Sequence, residues 1–123
     1  MPRVPLIAIV DDDDSLRDSL DNLIRSVGFR VEGFASAEAF LQSKQVQETR
    51  CLILDVCMPG ITGLELQRQM VAANSPVPII FITAHEDEDQ RRQALEAGAV
   101  AFLYKPLFEE ALLDAIDTAL KDT

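Results

Sequence analysis

The sequence predicts an α/β domain: one five-stranded parallel sheet with helices on both faces, a three-layer (βα)5 arrangement. Three observations predict it. Four short apolar runs, Leu6–Val10, Cys51–Leu54, Val77–Ile82 and Val100–Leu103, are continuous rather than alternating, as suits strands buried on both faces. A further segment, Arg30–Phe34, alternates polar and apolar residues and reads as an edge strand. Segments with apolar residues at helical spacing separate these runs. Alternation of that kind gives a parallel sheet with right-handed crossovers.

Leu6–Val10 ends on Asp11-Asp12-Asp13-Asp14. Helix Asp14–Val27 follows, with Leu16, Leu20, Leu23, Ile24 and Val27 at helical spacing and Gly28 as its stop. After Arg30–Phe34, Ser36 is a good N-cap for a short helix holding Ala39, Phe40 and Leu41, because its hydroxyl can satisfy a free first-turn amide. Cys51–Leu54 leads to Asp55. Gly63–Ala73 carries Leu64, Leu66, Met70 and Val71, with a Pro-containing loop after it. Val77–Ile82 leads to Thr83. Asp87 and Gln90 have capping-box spacing for helix Asp87–Ala97, which Gly98 ends. Val100–Leu103 leads to Tyr104-Lys105-Pro106. Phe108–Leu120 then presents Ala111, Leu112, Ala115, Ile116 and Ala119 on one side.

The 123 residues fit a single domain, 1–123, without repeat, low-complexity stretch or linker. A chain of this size buries roughly two-thirds of its unfolded surface, enough for a core without metal or disulfide staples. The net charge of -10, from 21 acidic and 11 basic residues, argues against nucleic-acid binding, which takes clustered Lys and Arg. It favours a cation or a basic protein partner, although solubility is its plainest reading. No apolar run approaches the ~18 residues of a membrane span. Cys51 and Cys57 flank an extended run, so as strand ends they lie up to ~20 Å apart and a disulfide would require the run to fold back. With no secretory signal recognisable, the cytoplasm is the expected compartment.

In open parallel sheets, ligands bind beyond the C-terminal strand ends. Those ends carry Asp11 and Asp12, Asp55, Thr83 and Lys105. Carboxylates converging at a dry edge repel one another and resist ionising, and a divalent cation resolves this. Hard oxygen ligands without a His or Cys constellation point to Mg²⁺, or Mn²⁺ in its place. An aspartate beside such a cation can act as a phosphoryl nucleophile. Lys105 can pair with that carboxylate and then with phosphoryl oxygens, and Thr83 can donate to one of them. Each residue also has a plainer role. Asp13 and Asp14 suit a helix N-terminus by charge alone. A lone Asp after a strand is usually a turn residue. Thr83 can be structural, Lys105 a surface lysine, and Phe102 a core ring. His85, the one histidine, lacks partners at metal spacing. Cys57 reads equally as a passive loop residue or a redox sensor. The joint placement at successive strand ends is what favours the phosphoryl reading.

The segments IAIVDDDDSLRDSL, LILDVCMPGITGLEL, PIIFITAH and AGAVAFLYKPL give a match to a family. The chain resembles the receiver domains of two-component response regulators over essentially its whole length. Phe34–Leu41 and Met58-Pro59-Gly60 look most like the FixJ-type branch. The resemblance implies a flavodoxin-like sheet in the order 2-1-3-4-5. It implies Asp55 as phosphoacceptor, supplied by a sensor histidine kinase or phosphotransfer protein. Asp12 would ligate Mg²⁺ directly, Asp11 mainly through water, and Asp55 and the backbone carbonyl of Cys57 would add ligands. Thr83 and Phe102 would be the switch pair, with Lys105 beside them and a cis Lys105–Pro106 bond. The output face would be the fourth helix, fifth strand and fifth helix, where Arg91, Arg92, Asp114 and Asp117 could support a phosphorylation-dependent homodimer.

The same resemblance implies a signalling switch rather than a turnover enzyme. It implies a DNA-binding output domain beyond this chain, or else a stand-alone regulator. Leu107 replaces a frequent Phe, Tyr104 adds a second ring near the switch, and Cys57 and His85 occupy positions that tune phosphoryl lifetime; Ala84 leaves the site open. Two competing functions fit the residues less well. A haloacid-dehalogenase-type phosphatase wants a second Asp two residues after the nucleophile, where this chain has Cys57, and a cap insertion it lacks. A degenerate receiver that only docks partners would have lost an acidic residue, the Thr or the Lys, and all are present.

Overall fold

The computed structural model describes residues 4–121. Strands and helices alternate: β1 (Leu6–Val10), α1 (Asp14–Ser26), β2 (Arg30–Phe34), α2 (Ala37–Gln42), β3 (Thr49–Asp55), α3 (Gly63–Ala72), β4 (Ile79–Thr83), α4 (Glu88–Glu96), β5 (Ala101–Tyr104) and α5 (Glu109–Lys121). All pairings are parallel and the strand order is β2-β1-β3-β4-β5. The expected fold class and strand order are both found.

Local chemistry sets the helix starts. Asp13 caps α1 by accepting from the Leu16 amide, Ser36 caps α2 by accepting from Ala39, and Asp87 caps α4 by accepting from Asp89 and Gln90. Each cap satisfies first-turn amides that have no intrahelical acceptor, and is worth about 1 kcal/mol. The capping box with reciprocal bonds belongs to α3, where Thr62 and Glu65 exchange side-chain and backbone contacts.

Strand boundaries differ from the sequence reading where neighbours decide them. β3 begins two residues early, at Thr49. β4 begins at Ile79 because Pro78 has no N–H to donate and contributes only its carbonyl, to Leu52 N at 3.0 Å. β5 lies at the sheet edge, as the expected order has it, but its apolar run is not buried on both faces: only Phe102 is buried. Val27, Leu41, Val71 and Ala111, expected on inward stripes, are exposed.

Alternation along the strands divides the core in two. On one side of the sheet Ala8, Val10, Leu52, Leu54, Phe81 and Phe102 pack under α2, α3 and α4. On the other, Ile7, Ile9, Ile53, Ile80 and Ile82 pack under α1 and α5. Among the described residues, no helix is long and apolar enough to cross a membrane.

Candidate functional site

Strand register gathers the site. Val10 stands opposite Leu54, so the next residues, Asp11 and Asp55, emerge side by side from β1 and β3. Asp55 stands opposite Ile82, and Thr83 opposite Tyr104. Lys105 follows at once, its amide bonded to the Thr83 carbonyl at 2.7 Å. Asp11, Asp12, Asp55, Thr83 and Lys105 therefore share one rim, as the parallel topology requires.

Asp11, Asp12 and Asp55 each present a carboxylate oxygen, all within 4.8 Å of one another. Asp11 is fully buried, Asp55 is 4% exposed, and Asp12 is exposed. Lys105 Nζ lies 3.2 Å from Asp11 Oδ2 and 3.7 Å from Asp55 Oδ2. Asp11 Oδ1 accepts from the Asp13 amide at 2.8 Å, and Asp55 Oδ1 from the Cys57 amide at 3.2 Å. Burial, and next the charge of Asp11, push the Asp55 carboxyl up to about 6, against Lys105 and the Cys57 amide, which hold it down. One ammonium against three carboxylates leaves the cluster under-neutralised. That donor set, hard oxygens with no thiolate or imidazole among them, fits Mg²⁺ or Mn²⁺.

Of the remaining expected residues, Thr83 lies on the same rim and the others take separate places. Thr83 is fully buried, and its hydroxyl accepts from the His85 amide at 3.1 Å. Phe102 packs against Phe81 and Tyr104 with ring centroids 5.9 and 5.7 Å away. Phe102, expected as a switch residue, is buried. Cys57 is exposed, and Cys51 is buried with its thiol pushed up to about 12 by burial; neither forms a disulfide. The Lys105–Pro106 bond is cis, as expected. Arg91 and Arg92 pair within α4 with Glu88 and Asp89, and Asp117 pairs within α5 with Lys121. Asp13 and Asp14 take the helix-terminus roles: Asp13 caps α1 and Asp14 pairs with Arg17.

Three supporting residues escaped the sequence reading. Arg17 donates from Nη1 to the Asp11 carbonyl at 2.7 Å, fixing the backbone of the acidic pair. Gly63 gives up its side chain to the end of β3: a Cβ there would lie 2.3 Å from the Asp55 carbonyl oxygen. Glu38 reaches from α2 to the loop after Asp55. Arg17 and Glu38 sit in ordinary polar positions of helical patterns, so only tertiary placement reveals them. Gly63 stands at the expected helix start, and the Thr62-x-x-Glu65 box marks the N-cap before it, but its approach to Asp55 has no signal in the sequence.

Residues 7–117 match the response regulator receiver domain family. The chain is 47% identical over 116 residues to the response regulator protein TmoT of Ectopseudomonas mendocina, covering 94% of this chain and 53% of TmoT. It is 41% identical over 115 residues to the transcriptional regulatory protein FixJ of Bradyrhizobium diazoefficiens, covering 94% of this chain and 56% of FixJ. A crystal structure of FixJ-N superposes with a TM-score of 0.87 at 34% identity, covering 99% of this chain and 98% of that one. The chain spans about half the length of the curated relatives it matches.

Proposed function

The chain belongs to the response regulator receiver domain family, and on that premise we propose that it accepts a phosphoryl group on Asp55, with Mg²⁺ as cofactor, from a sensor histidine kinase or phosphotransfer protein. The observation that carries this reading is the meeting of three carboxylates within 4.8 Å, with Lys105 bridging Asp11 and Asp55.

In the proposed step, an Asp55 carboxylate oxygen bonds to the phosphorus of a phosphohistidine. The N–P bond breaks, its electron pair returns to the imidazole, and Asp55 becomes an acyl phosphate. Asp12 and Asp55 would hold the cation directly, with the Cys57 carbonyl, and Asp11 would act through water. The cation supplies charge neutralisation for the transferring group. Lys105, already between Asp11 and Asp55, exchanges a carboxylate partner for phosphoryl oxygens. Thr83 leaves the His85 amide and donates to the phosphoryl group. Phe102, buried beside Phe81 and Tyr104, is the ring whose two-state equilibrium phosphorylation would bias.

A groove of about 320 Å³ beside Lys105, lined by Leu16, Leu20, Leu23, Pro106, Leu107 and Leu112, offers the donor an apolar seat. Phe108, 77% exposed, stands next to it. The α4-β5-α5 face is the proposed output surface, through a phosphorylation-dependent homodimer and a transcriptional output domain beyond this chain. The proposed location is the cytoplasm. Cys57, two residues past Asp55, gives a thiol where a turnover phosphatase of the dehalogenase type needs a carboxylate, so the chain is a switch rather than an enzyme in this reading.

Acetyl phosphate or beryllofluoride with Mg²⁺ tests it. Wild type should gain label, or shift its amide spectrum, only with the cation, and Asp55→Asn should do neither while staying folded. Labelling that persists in Asp55→Asn overturns the assignment; a wild type that never responds favours a docking module.

A further inference from the structure

The loop between Asp55 and α3 carries the groups that complete the acidic cluster, and its fastenings are specific. Its base is closed by the Gly63 amide, which donates to the Val56 carbonyl at 3.0 Å. Its front is held by the Cys57 amide on Asp55 Oδ1 at 3.2 Å. Its far side ends in the Thr62–Glu65 box. The tip, Pro59 and Gly60, is exposed. A loop fixed only at its two ends could hinge about them.

A third point of support comes from another part of the chain. The Ile61 amide donates to Glu38 Oε1 at 3.4 Å, across 23 residues of sequence. The carboxylate also approaches Gly60 through one oxygen: a Cβ built there would stand 2.6 Å from Glu38 Oε2. Gly60 has φ +80°, so its lack of a side chain serves both the turn and the approach of the carboxylate. Glu38 is well anchored for this task. It sits in the first turn of α2, which Ser36 caps and whose neighbouring Ala37 and Phe40 are fully buried.

We propose that Glu38 is a positioning residue for phosphoryl acceptance: its carboxylate pins the Gly60–Ile61 turn and thereby sets Cys57 against Asp55. The inference rests on the phosphoacceptor reading above. A 3.4 Å contact lies beyond the usual length of a hydrogen bond, so it adds little to stability. Its effect is on geometry. Misplacing a reacting neighbourhood by about 1 Å costs up to ~100-fold in rate, whereas losing one weak surface contact shifts Tm by about 3 °C or less.

Glu38→Ala and Glu38→Gln in this chain provide the test, read by the rate of labelling from acetyl phosphate at saturating Mg²⁺, by Tm, and by exchange of the Cys57 and Ile61 amides. Glu38→Ala should label about tenfold more slowly with Tm nearly unchanged, and its two amides should exchange faster. Glu38→Gln, whose side-chain carbonyl still accepts from Ile61, should recover most of the rate. Three results overturn the proposal: wild-type labelling in Glu38→Ala, equal loss in both variants, or a loss that merely follows the unfolded fraction. If wild type takes no label, the phosphoacceptor reading is what fails. The clamp is then decided by amide exchange, and rates unchanged in Glu38→Ala reject it.

Discussion

The two sides of the sheet are built from different materials. Under α1 and α5 the buried residues are aliphatic, with Ile7, Ile9, Ile24, Ile53, Ile80, Ile82 and Ile116 at the centre. Under α2, α3 and α4 lie the buried rings Phe40, Phe81 and Phe102, with Met58 and Met70. β-branched side chains have few rotamers and make a stiff layer. Rings and thioethers leave room to repack. The helices differ in attachment on both sides, most sharply between α5, which buries Leu112, Ala115, Ile116 and Ala119, and α4, which buries only Ala94. An element held by so few apolar contacts opens at low free energy. On the proposed reading the aliphatic side would serve as the frame, and α4 with the aromatic residues beneath it, beside Thr83 and Tyr104, would be the part that responds.

That contrast is exposed to experiment. The largest effect should come from Ile80→Ala on the frame side, a loss of about 2–5 kcal/mol in urea unfolding, with the beryllofluoride-induced shifts of α4 amides retained. Loss of those shifts in a folded Ile80→Ala chain would mean that the frame takes part in the response.

Next in size is the pH dependence of Asp55, at the seam of the two sides. Its carboxyl goes from 3.8 in its ordinary state to about 6 when folded, pushed up first by burial. Between those values the folded chain keeps a proton that the unfolded chain has released. Without divalent cations, stability should therefore fall as pH rises from about 4 to about 6, by on the order of 1–3 kcal/mol. Asp55→Asn should remove that component, and Mg²⁺ should offset the loss above it. Thermal melts of both proteins across the window test the sign.

Smaller still, Phe102→Leu should cost less than about 1.5 kcal/mol, since bulk is largely kept, yet weaken the α4 response more than Ile80→Ala does. Thr62→Ala, which removes the cap of α3, should cost about 1 kcal/mol and leave the response in place. If Phe102→Leu responds normally while Thr62→Ala does not, motion on the aromatic side originates in the loop rather than in the ring.

Much of this was legible in the chain. Interior strands announce themselves by unbroken apolar runs, and the ends of those runs named Asp11, Asp55, Thr83 and Lys105 before any geometry. The burial of β5 is not legible in its run, because an apolar tetrapeptide at a sheet edge looks like one at its centre; only its neighbours distinguish them. Gln67 shows the complementary failure. It belongs to the polar pattern of α3, yet it is buried and donates to the Ala94 carbonyl at 2.9 Å. Glu38 acts on the backbone of a loop 23 residues away and Arg17 on the Asp11 carbonyl six residues before it, and nothing in their local pattern records either contact.

Gly63 carries a consequence for how such a chain can vary. Any non-synonymous change of its codon that keeps the reading frame open adds a Cβ, and that atom would fall 2.3 Å from the Asp55 carbonyl and 3.0 Å from Val56 Cα. The position is closed by steric exclusion, independently of phosphate chemistry. A descendant that had abandoned signalling and let its acidic residues drift would still carry glycine there, so persistence at 63 reports on the fold, while persistence at 55 reports on use.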